Sequence, residues 1–196
     1  KTMFKWNNGL SWAYSGNITD SEITEKVKAA GGRTDGVLRF SHSWNYDGMR
    51  NASLMDLHVF MPGSNQNVVI KNGKEIHDNY GNDERVGWNH RRHYASGGVQ
   101  DVDYTAPAPI GYVPVENTTF PSIDKLKEGV YTFKIHNWNF RNPTTGGFKA
   151  EIAFGGNVYR FVRREPLQHK EWITLAKLEL KNGEFSILEM AENDST

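Results

Sequence analysis

The chain reads Leu38-Arg39-Phe40-Ser41-His42-Ser43-Trp44 in its first quarter, and every second side chain of this stretch is large and apolar or aromatic. A second stretch, Met55-Asp56-Leu57-His58-Val59-Phe60-Met61, repeats the pattern, with Asp56 and His58 on the opposite face. Alternation with a period of two is typical of β-strands, because successive side chains point to opposite faces of a sheet. We therefore predict a strand in each stretch, with one apolar face and one solvated face.

The same alternation continues along the rest of the chain. It recurs at Tyr131–Ile135 and Phe148–Phe154, and further apolar stretches flank the pairs Asn72-Gly73 and Asn182-Gly183. Such pairs favour two-residue hairpin turns, in which both residues take positive φ. Gly155-Gly156 predicts a third hairpin. About ten short strands with turns at this spacing predict a mainly β fold, an antiparallel two-sheet β-sandwich of the jelly-roll or immunoglobulin-like kind.

One short helix is predicted near the amino end. Thr19-Asp20-Ser21-Glu22 has the form of a capping box, which begins a helix at about Asp20. Gly31-Gly32 ends this helix after Ala30, because glycine readily takes the left-handed backbone conformation found at helix C-termini. We expect the helix to lie at the periphery of the sandwich.

The sequence predicts one domain over residues 1–196, with an amino-terminal arm and helix in residues 1–35 and the sandwich in residues 36–190. Because the chain begins at Lys1 rather than Met, we expect a processed product or a piece of a longer protein. Two long stretches without periodicity, His77–Gly98 and Thr105–Pro121, are predicted to be irregular and to carry function.

Composition excludes several kinds of chemistry and partner. The chain has no cysteine, which excludes disulfides, zinc–thiolate sites and thiol catalysis. Lys plus Arg equals Asp plus Glu at 23 each, so the chain lacks the basic excess on which non-specific nucleic-acid binding depends. No apolar stretch approaches the roughly 20 residues of a membrane span. We therefore expect neither a membrane span nor nucleic acid as a general partner.

Acidic and imidazole side chains predict a metal site. Asp56 and His58 lie two apart on one predicted strand, and Asp101 and Asp103 lie two apart on another, so each pair shares a face. If the two strands are neighbours, three carboxylates and an imidazole meet, and a cation relieves their repulsion. Oxygen ligands favour Ca²⁺, Mg²⁺ or Mn²⁺. The alternative is a solvated polar face with ion pairs to Arg39 or Lys134.

A second group of residues predicts ligand contact outside the metal site. Aromatic rings stack on sugars or bases, and guanidinium groups bind phosphate or carboxylate. The residues concerned are Trp88, His90, Arg91, Arg92 and His93 in one predicted loop and Trp138 in the stretch His136–Phe140. The alternative is that the loop residues only anchor their own loop and that Trp138 belongs to a core strand that ends in an aromatic turn.

Several short motifs follow one another in a fixed order: Leu38-Arg39-Phe40, Trp44, Asp56-Leu57-His58, Tyr80-Gly81-Asn82, Gly97-Gly98, Asp101-Val102-Asp103, Val115-Glu116-Asn117, Gly129-Val130-Tyr131 and His136-Asn137. This order resembles the YfaP-like family, a group of β-sandwich domains of bacteria and their phages. The resemblance spans residues 37–162 and implies a fold more than an activity. Where the family has an acidic residue two positions before the Asp-Leu-His step, this chain has Leu54, which weakens any acidic site implied by the family.

The leading hypothesis is a non-catalytic binding or structural module, a virion or cell-surface component or an accessory domain, whose partner is a protein or a glycan. It would contact that partner mainly through the Trp88–His93 loop and the Thr105–Pro121 segment, and a virion or extracytoplasmic location is favoured. One alternative is a metal-dependent hydrolase that uses Asp56, His58, Asp101 and Asp103. Another is a nucleic-acid-associated module with a local patch of Arg91, Arg92, Arg163 and Arg164.

Catalysis without a metal finds little support in the sequence. Ser96 lies in Ala95-Ser96-Gly97-Gly98, which is not the Gly-x-Ser-x-Gly turn that exposes a nucleophilic serine. A glycosidase that pairs Glu116 with Asp101 or Asp103 is conceivable, but it requires a separation between carboxylates that spacing does not give.

Overall fold

A computed structural model describes residues 9–16, 21–76 and 79–191. It confirms a mainly β fold of two antiparallel sheets with one short α-helix. Within these described ranges, no helix is long and apolar enough to cross a membrane.

The first sheet has seven strands. In spatial order they are β1 (Leu10–Tyr14), β12 (Asn157–Arg163), β11 (Phe148–Phe154), β2 (Leu38–Trp44), β9 (Val115–Phe120), β8 (Gly98–Val102) and β7 (Arg92–His93). The second sheet runs in the order β4 (Val69–Lys71), β5 (Lys74–Ile76), β13 (Glu171–Lys181), β10 (Gly129–Asn139), β3 (Leu54–Phe60) and β6 (Arg85–Val86), and β14 (Glu184–Met190) also pairs with β13.

The three predicted hairpins are confirmed. Asn72-Gly73 joins β4 to β5, Gly155-Gly156 joins β11 to β12, and Asn182-Gly183 joins β13 to β14. Both residues of each pair have positive φ, between 52° and 77°. This is the conformation that a two-residue turn needs to match the right-handed twist of its strands.

The apolar faces of the two sheets pack against each other. Phe40 of β2 and Phe133 of β10 meet edge to face across the sandwich, with ring centroids 5.4 Å apart. Leu57 lies opposite Ile135 on the neighbouring strand, and both are completely buried. The alternation seen in the sequence therefore selects the residues of the core.

The helix α1 spans Glu22–Ala29 and lies on the outer face of the first sheet. Its buried residues Ile23 and Val27 pack against Val115 of β9 and Val102 of β8. The capping box differs from the predicted one, because Ser21 is the N-cap. Its hydroxyl accepts a hydrogen bond from the backbone N–H of Thr24, and the hydroxyl of Thr24 accepts one from the backbone N–H of Ser21. Thr19 and Asp20 lie outside the described residues.

The prediction of solvated polar faces on β2 and β3 is wrong. All seven residues of β2 are buried, and in β3 Asp56 and His58 retain only 8% and 0% of their exposure. Two segments cover these faces: α1 packs against β2 and β9, and the segment that carries Tyr80 and Gly87 packs over His58. Arg39 and Lys134, the expected partners of the acidic residues, pair instead with Glu151 and Glu75.

The two stretches predicted to be irregular contain strands. His77–Gly98 includes β6 and β7, and Thr105–Pro121 includes all of β9, a strand buried along its whole length. The sequence did not predict β9 for two reasons. Prolines flank the strand, and most of its residues are polar although they lie inside the protein.

Candidate functional site

A carboxylate cluster, formed by Asp56, Asp103 and Glu116, lies where the second sheet meets the first. Asp56 comes from β3, Asp103 follows the end of β8, and Glu116 belongs to β9. One oxygen atom from each of the three carboxylates lies within 4.8 Å of the other two. Asp56 and Glu116 are buried, and Asp103 is half-buried. The cluster therefore reaches solvent on its Asp103 side.

Hydrogen bonds hold Glu116 in place. Its Oε1 atom accepts from the backbone N–H of Leu57 at 3.2 Å, and its Oε2 atom accepts from the backbone N–H of Tyr104 at 3.2 Å. The Nε2 atom of His42, the cross-strand neighbour of Glu116, lies 2.9 Å from Oε1. These contacts join β3 of one sheet to β9 of the other and fix the direction of the carboxylate.

A β-bulge separates Asp101 from Asp103. Gln100 pairs with Thr118 and Val102 pairs with Asn117, so Asp101 is an extra residue in β8. Its carboxylate accepts hydrogen bonds at 2.7 Å from the backbone of Arg33 and at 2.7 Å from the side chain of Asn117. A bulge interrupts the period of two, which is why the two aspartates do not act together as predicted.

Burial and mutual repulsion dominate the electrostatics of the cluster. Burial, followed by the nearby carboxylate of Asp103, raises the pKa of Asp56 to about 8, while Lys170 acts in the opposite direction. Burial also raises the pKa of Glu116 well above its ordinary value, and Asp56 and Asp103 add to this effect. Burial lowers the pKa of His42 to about 3, so this imidazole is neutral and does not compensate the negative charge.

Two side-chain groups at the cluster have unused hydrogen-bonding capacity. Asp56 forms no hydrogen bond or ion pair through its carboxylate within the described part of the chain, although it is more than nine-tenths buried. The Nε2 atom of Gln100 donates to Asp103 at 3.3 Å, while its Oε1 atom is buried without a partner. Buried polar atoms are normally satisfied, so these oxygens remain available to a donor or a cation.

His58 lies apart from the carboxylate cluster. It shares a face of β3 with Asp56, but its ring packs in an aromatic layer, 5.1 Å from the ring of Tyr80 and 4.9 Å from that of Trp172. Burial lowers its pKa well below the ordinary value. Of the four residues predicted to bind metal, the structure brings Asp56 and Asp103 together, adds Glu116, and places His58 and Asp101 elsewhere.

An aromatic wall, formed by Tyr80, Trp88 and Trp138, extends from this layer. The indole N–H of Trp88 donates to the hydroxyl of Tyr80 at 3.1 Å, and the rings of Trp88 and Trp138 lie 6.1 Å apart. Asp56 is close enough to Tyr80 to help raise the pKa of this phenol, although burial is the larger cause. Asp56 also lies opposite His136, whose ring is 6.3 Å from that of Tyr80, so the wall and the carboxylate cluster are parts of one region.

The other residues of the predicted loop serve mainly its own structure. The guanidinium of Arg91 donates twice to the backbone oxygen of Gln100, at 3.1 and 3.0 Å. His93 lies between Ser96, at 2.8 Å, and Glu84, at 3.2 Å, in a turn where Ser96 is buried. His90 lies 3.7 Å from Asp83, and Arg92 is exposed on β7. Of the predicted loop residues, only Trp88 joins Trp138.

The four arginines of the alternative basic patch do not form one surface. Arg91 and Arg92 lie at the β7 edge of the first sheet, whereas Arg163 belongs to β12 near the opposite edge. Five strand-to-strand steps separate β7 from β12, a distance of about 24 Å at the usual spacing. Arg163 is also buried and donates to the backbone of Glu165.

One residue of the cluster, Glu116, could have been given more weight from the sequence. Glu116 is two positions from Thr118 and four from Phe120, so it shares their inward face once the strand is recognised. Gln100 and Tyr80 carry no local pattern that predicts their roles.

No protein-family model matches this chain, and no curated protein matches it either. The resemblance to the YfaP-like family therefore stays a prediction.

Proposed function

We propose that the chain is a non-catalytic β-sandwich module that binds a divalent cation, calcium in the first place, at the carboxylate cluster. The observation that carries this proposal is the approach of three carboxylates, two of them buried, to within 4.8 Å. No Lys or Arg of the described residues forms an ion pair with them. A bound cation supplies the positive charge that this arrangement lacks.

The donor set supports calcium over other divalent ions. All three cluster residues offer oxygen, and no histidine of the described residues joins the cluster, so hard cations are preferred over transition metals. Two oxygens on opposite sides of Ca²⁺ are about 4.6–5.2 Å apart, against about 4.0–4.2 Å for Mg²⁺. The three oxygens of the cluster all lie within 4.8 Å of one another, which agrees with the distances between oxygens around Ca²⁺.

The geometry argues against the hydrolase alternative. Glu116 is completely buried and both of its oxygens accept hydrogen bonds, so it has no access to a substrate. The imidazole that a metal-dependent hydrolase would use, His58, belongs to the aromatic layer. A module that holds an ion and presents a surface beside it to another protein or to a glycan fits these contacts better.

Calorimetric titration of the chain with Ca²⁺ tests the proposal. We expect one site, with a dissociation constant within the range of about 10⁻⁷ to 10⁻³ M that calcium modules span. Asp103→Asn removes a ligand charge and should weaken binding by at least about 10- to 100-fold. Asp101→Asn is the matched control, because it removes a carboxylate two residues away that lies outside the cluster. An absence of heat, or equal loss in both variants, would contradict the proposal.

A further inference from the structure

We infer that the bound cation takes part directly in binding a ligand. Its open coordination positions accept two neighbouring hydroxyl groups of a neutral sugar, and the ring of this sugar packs on Trp88. This inference rests on the proposed cation site and names the class of molecule that the site recognises. Four features of the region support it.

The first feature is an incomplete coordination shell. Three carboxylates, each with one oxygen facing the other two, make three donor groups at the cluster, whereas Ca²⁺ takes about 6–8 oxygen ligands. Asp56, Glu116 and Gln100 are buried, and Asp103 is half-buried, so the remaining positions face solvent beside Asp103. Hydroxyl oxygens of a ligand can occupy these positions in place of water.

The second feature is the charge balance. Three ionised carboxylates carry −3, and Ca²⁺ reduces this to −1. No positive field then remains to attract a phosphate or a carboxylate. A neutral pair of hydroxyl groups is the ligand that this balance favours.

The third feature is a platform for a sugar ring. Trp88 retains 37% of its exposure, and its orientation is fixed by the hydrogen bond from its indole N–H to Tyr80. Trp138 is less available, because the ammonium of Lys170 lies over its ring at 4.1 Å from the centroid. The apolar face of a hexose packs well on a large, rigid aromatic ring. Trp88 is therefore the residue that we assign to stacking.

The fourth feature is the physical connection between platform and cluster. Tyr80 accepts the hydrogen bond from Trp88, and its ring lies 6.3 Å from the ring of His136. Asp56 lies opposite His136 of β10, and His136 is two residues before Trp138 on the same strand. The platform and the ion would therefore border the same patch of surface, as one sugar residue requires.

The test is an array of neutral oligosaccharides ending in mannose, galactose, glucose or fucose, together with sialylated ones, probed with the full chain in Ca²⁺ and in EDTA. We expect calcium-dependent binding to a neutral glycan. Trp88→Ala should weaken it by about 10-fold and leave the heat of Ca²⁺ binding unchanged. Tyr94→Ala is the control, since Tyr94 is an exposed aromatic residue of the next turn that retains 86% of its exposure.

The outcomes separate this inference from the proposed function. Calcium heat without a signal on any glycan overturns the inference and leaves the cation site intact. Binding that persists in EDTA, binding mainly to sialylated glycans, or a Trp88→Ala variant that binds as the parent does also overturns it. Absence of calcium heat overturns the cation site and this inference together.

Discussion

Asp56 is the residue whose environment departs furthest from what an aspartate tolerates. Its carboxylate is more than nine-tenths buried, has no hydrogen-bond partner in the described part of the chain, and lies beside two further carboxylates. The cost of ionising it in this position raises its pKa to about 8. In the absence of a cation, the protein therefore keeps a proton on this group at neutral pH. A cation bound at the cluster would compete with protons for the same oxygens.

This competition predicts the pH dependence of stability. Asp56 titrates near 3.8 in an unfolded chain and near 8 in the fold, so the folded protein binds more protons between these values. The stabilising contribution is fully present below the lower pKa and is lost as pH rises through the higher one. In EDTA we expect the free energy of unfolding to fall from pH 5 to pH 8, and the stabilisation by Ca²⁺ to grow over the same range. Thermal unfolding at both pH values checks this, and the opposite trend would contradict it.

Asp103→Asn should stabilise the calcium-free protein. The substitution removes a negative charge that raises the pKa of Asp56, and the gain should be on the order of 1 kcal/mol, or roughly 2–4 °C in Tm for a chain of this size. The same variant should lose the increase in Tm that Ca²⁺ gives the parent. A variant that is destabilised in EDTA at pH 8 would show that Asp103 serves the fold rather than an ion.

At the scale of elements, β6 and the turn after it seal the outer face of β3. Gly87 follows β6 directly, and a Cβ atom at this position would overlap the ring of His58. The close approach places Trp88, the next residue, against Tyr80. The aromatic wall therefore depends on a glycine that the alternation pattern does not single out.

Gly87→Ala should displace this turn. Overpacking of a buried contact costs about 1–3 kcal/mol, and movement of Trp88 should change the tryptophan fluorescence. Gly183→Ala is the control, because a Cβ atom there has nothing within 4 Å and only the positive φ of 76° is unfavourable. Chemical denaturation compares the two, and an equal fluorescence change in both variants would argue against the proposed role of Gly87.

The sequence predicts strands and turns well where a local pattern within one segment determines them. Alternation predicts β2 and β3, and the paired turn residues predict three hairpins, because both effects are local. The bulge at Asp101 is not predictable in this way, since it appears only in the pairing of β8 with β9. The burial of Asp56 and His58 also depends on segments distant in the chain.

At the scale of the whole molecule, the carboxylate cluster lies between the two sheets. Asp56 belongs to the second sheet, whereas Asp103 and Glu116 belong to strands β8 and β9 of the first or to their ends. A cation at this position would hold the two sheets together and would be lost when they separate. Its binding energy would then contribute to the stability of the entire sandwich.

The distribution of charge over the molecule agrees with a glycan or protein partner better than with nucleic acid. The formal net charge is zero, and the arginines proposed for a basic patch lie toward opposite edges of one sheet. Affinity for a polyphosphate depends on several cationic groups that act together. The molecule instead brings a carboxylate of the cluster near aromatic rings, because Asp56 lies opposite His136, whose ring is 6.3 Å from that of Tyr80.

Crystals of the full chain, grown with Ca²⁺ at a pH above the pKa of Asp56, would locate a bound ion by its anomalous scattering. We predict one calcium ion at roughly 2.3–2.6 Å from oxygens of Asp56, Asp103 and Glu116, with Gln100 turned to offer its Oε1 atom. Crystals with saturating Ca²⁺ that show only protonated carboxyl groups hydrogen-bonded to one another there, or an ion held elsewhere, would contradict it.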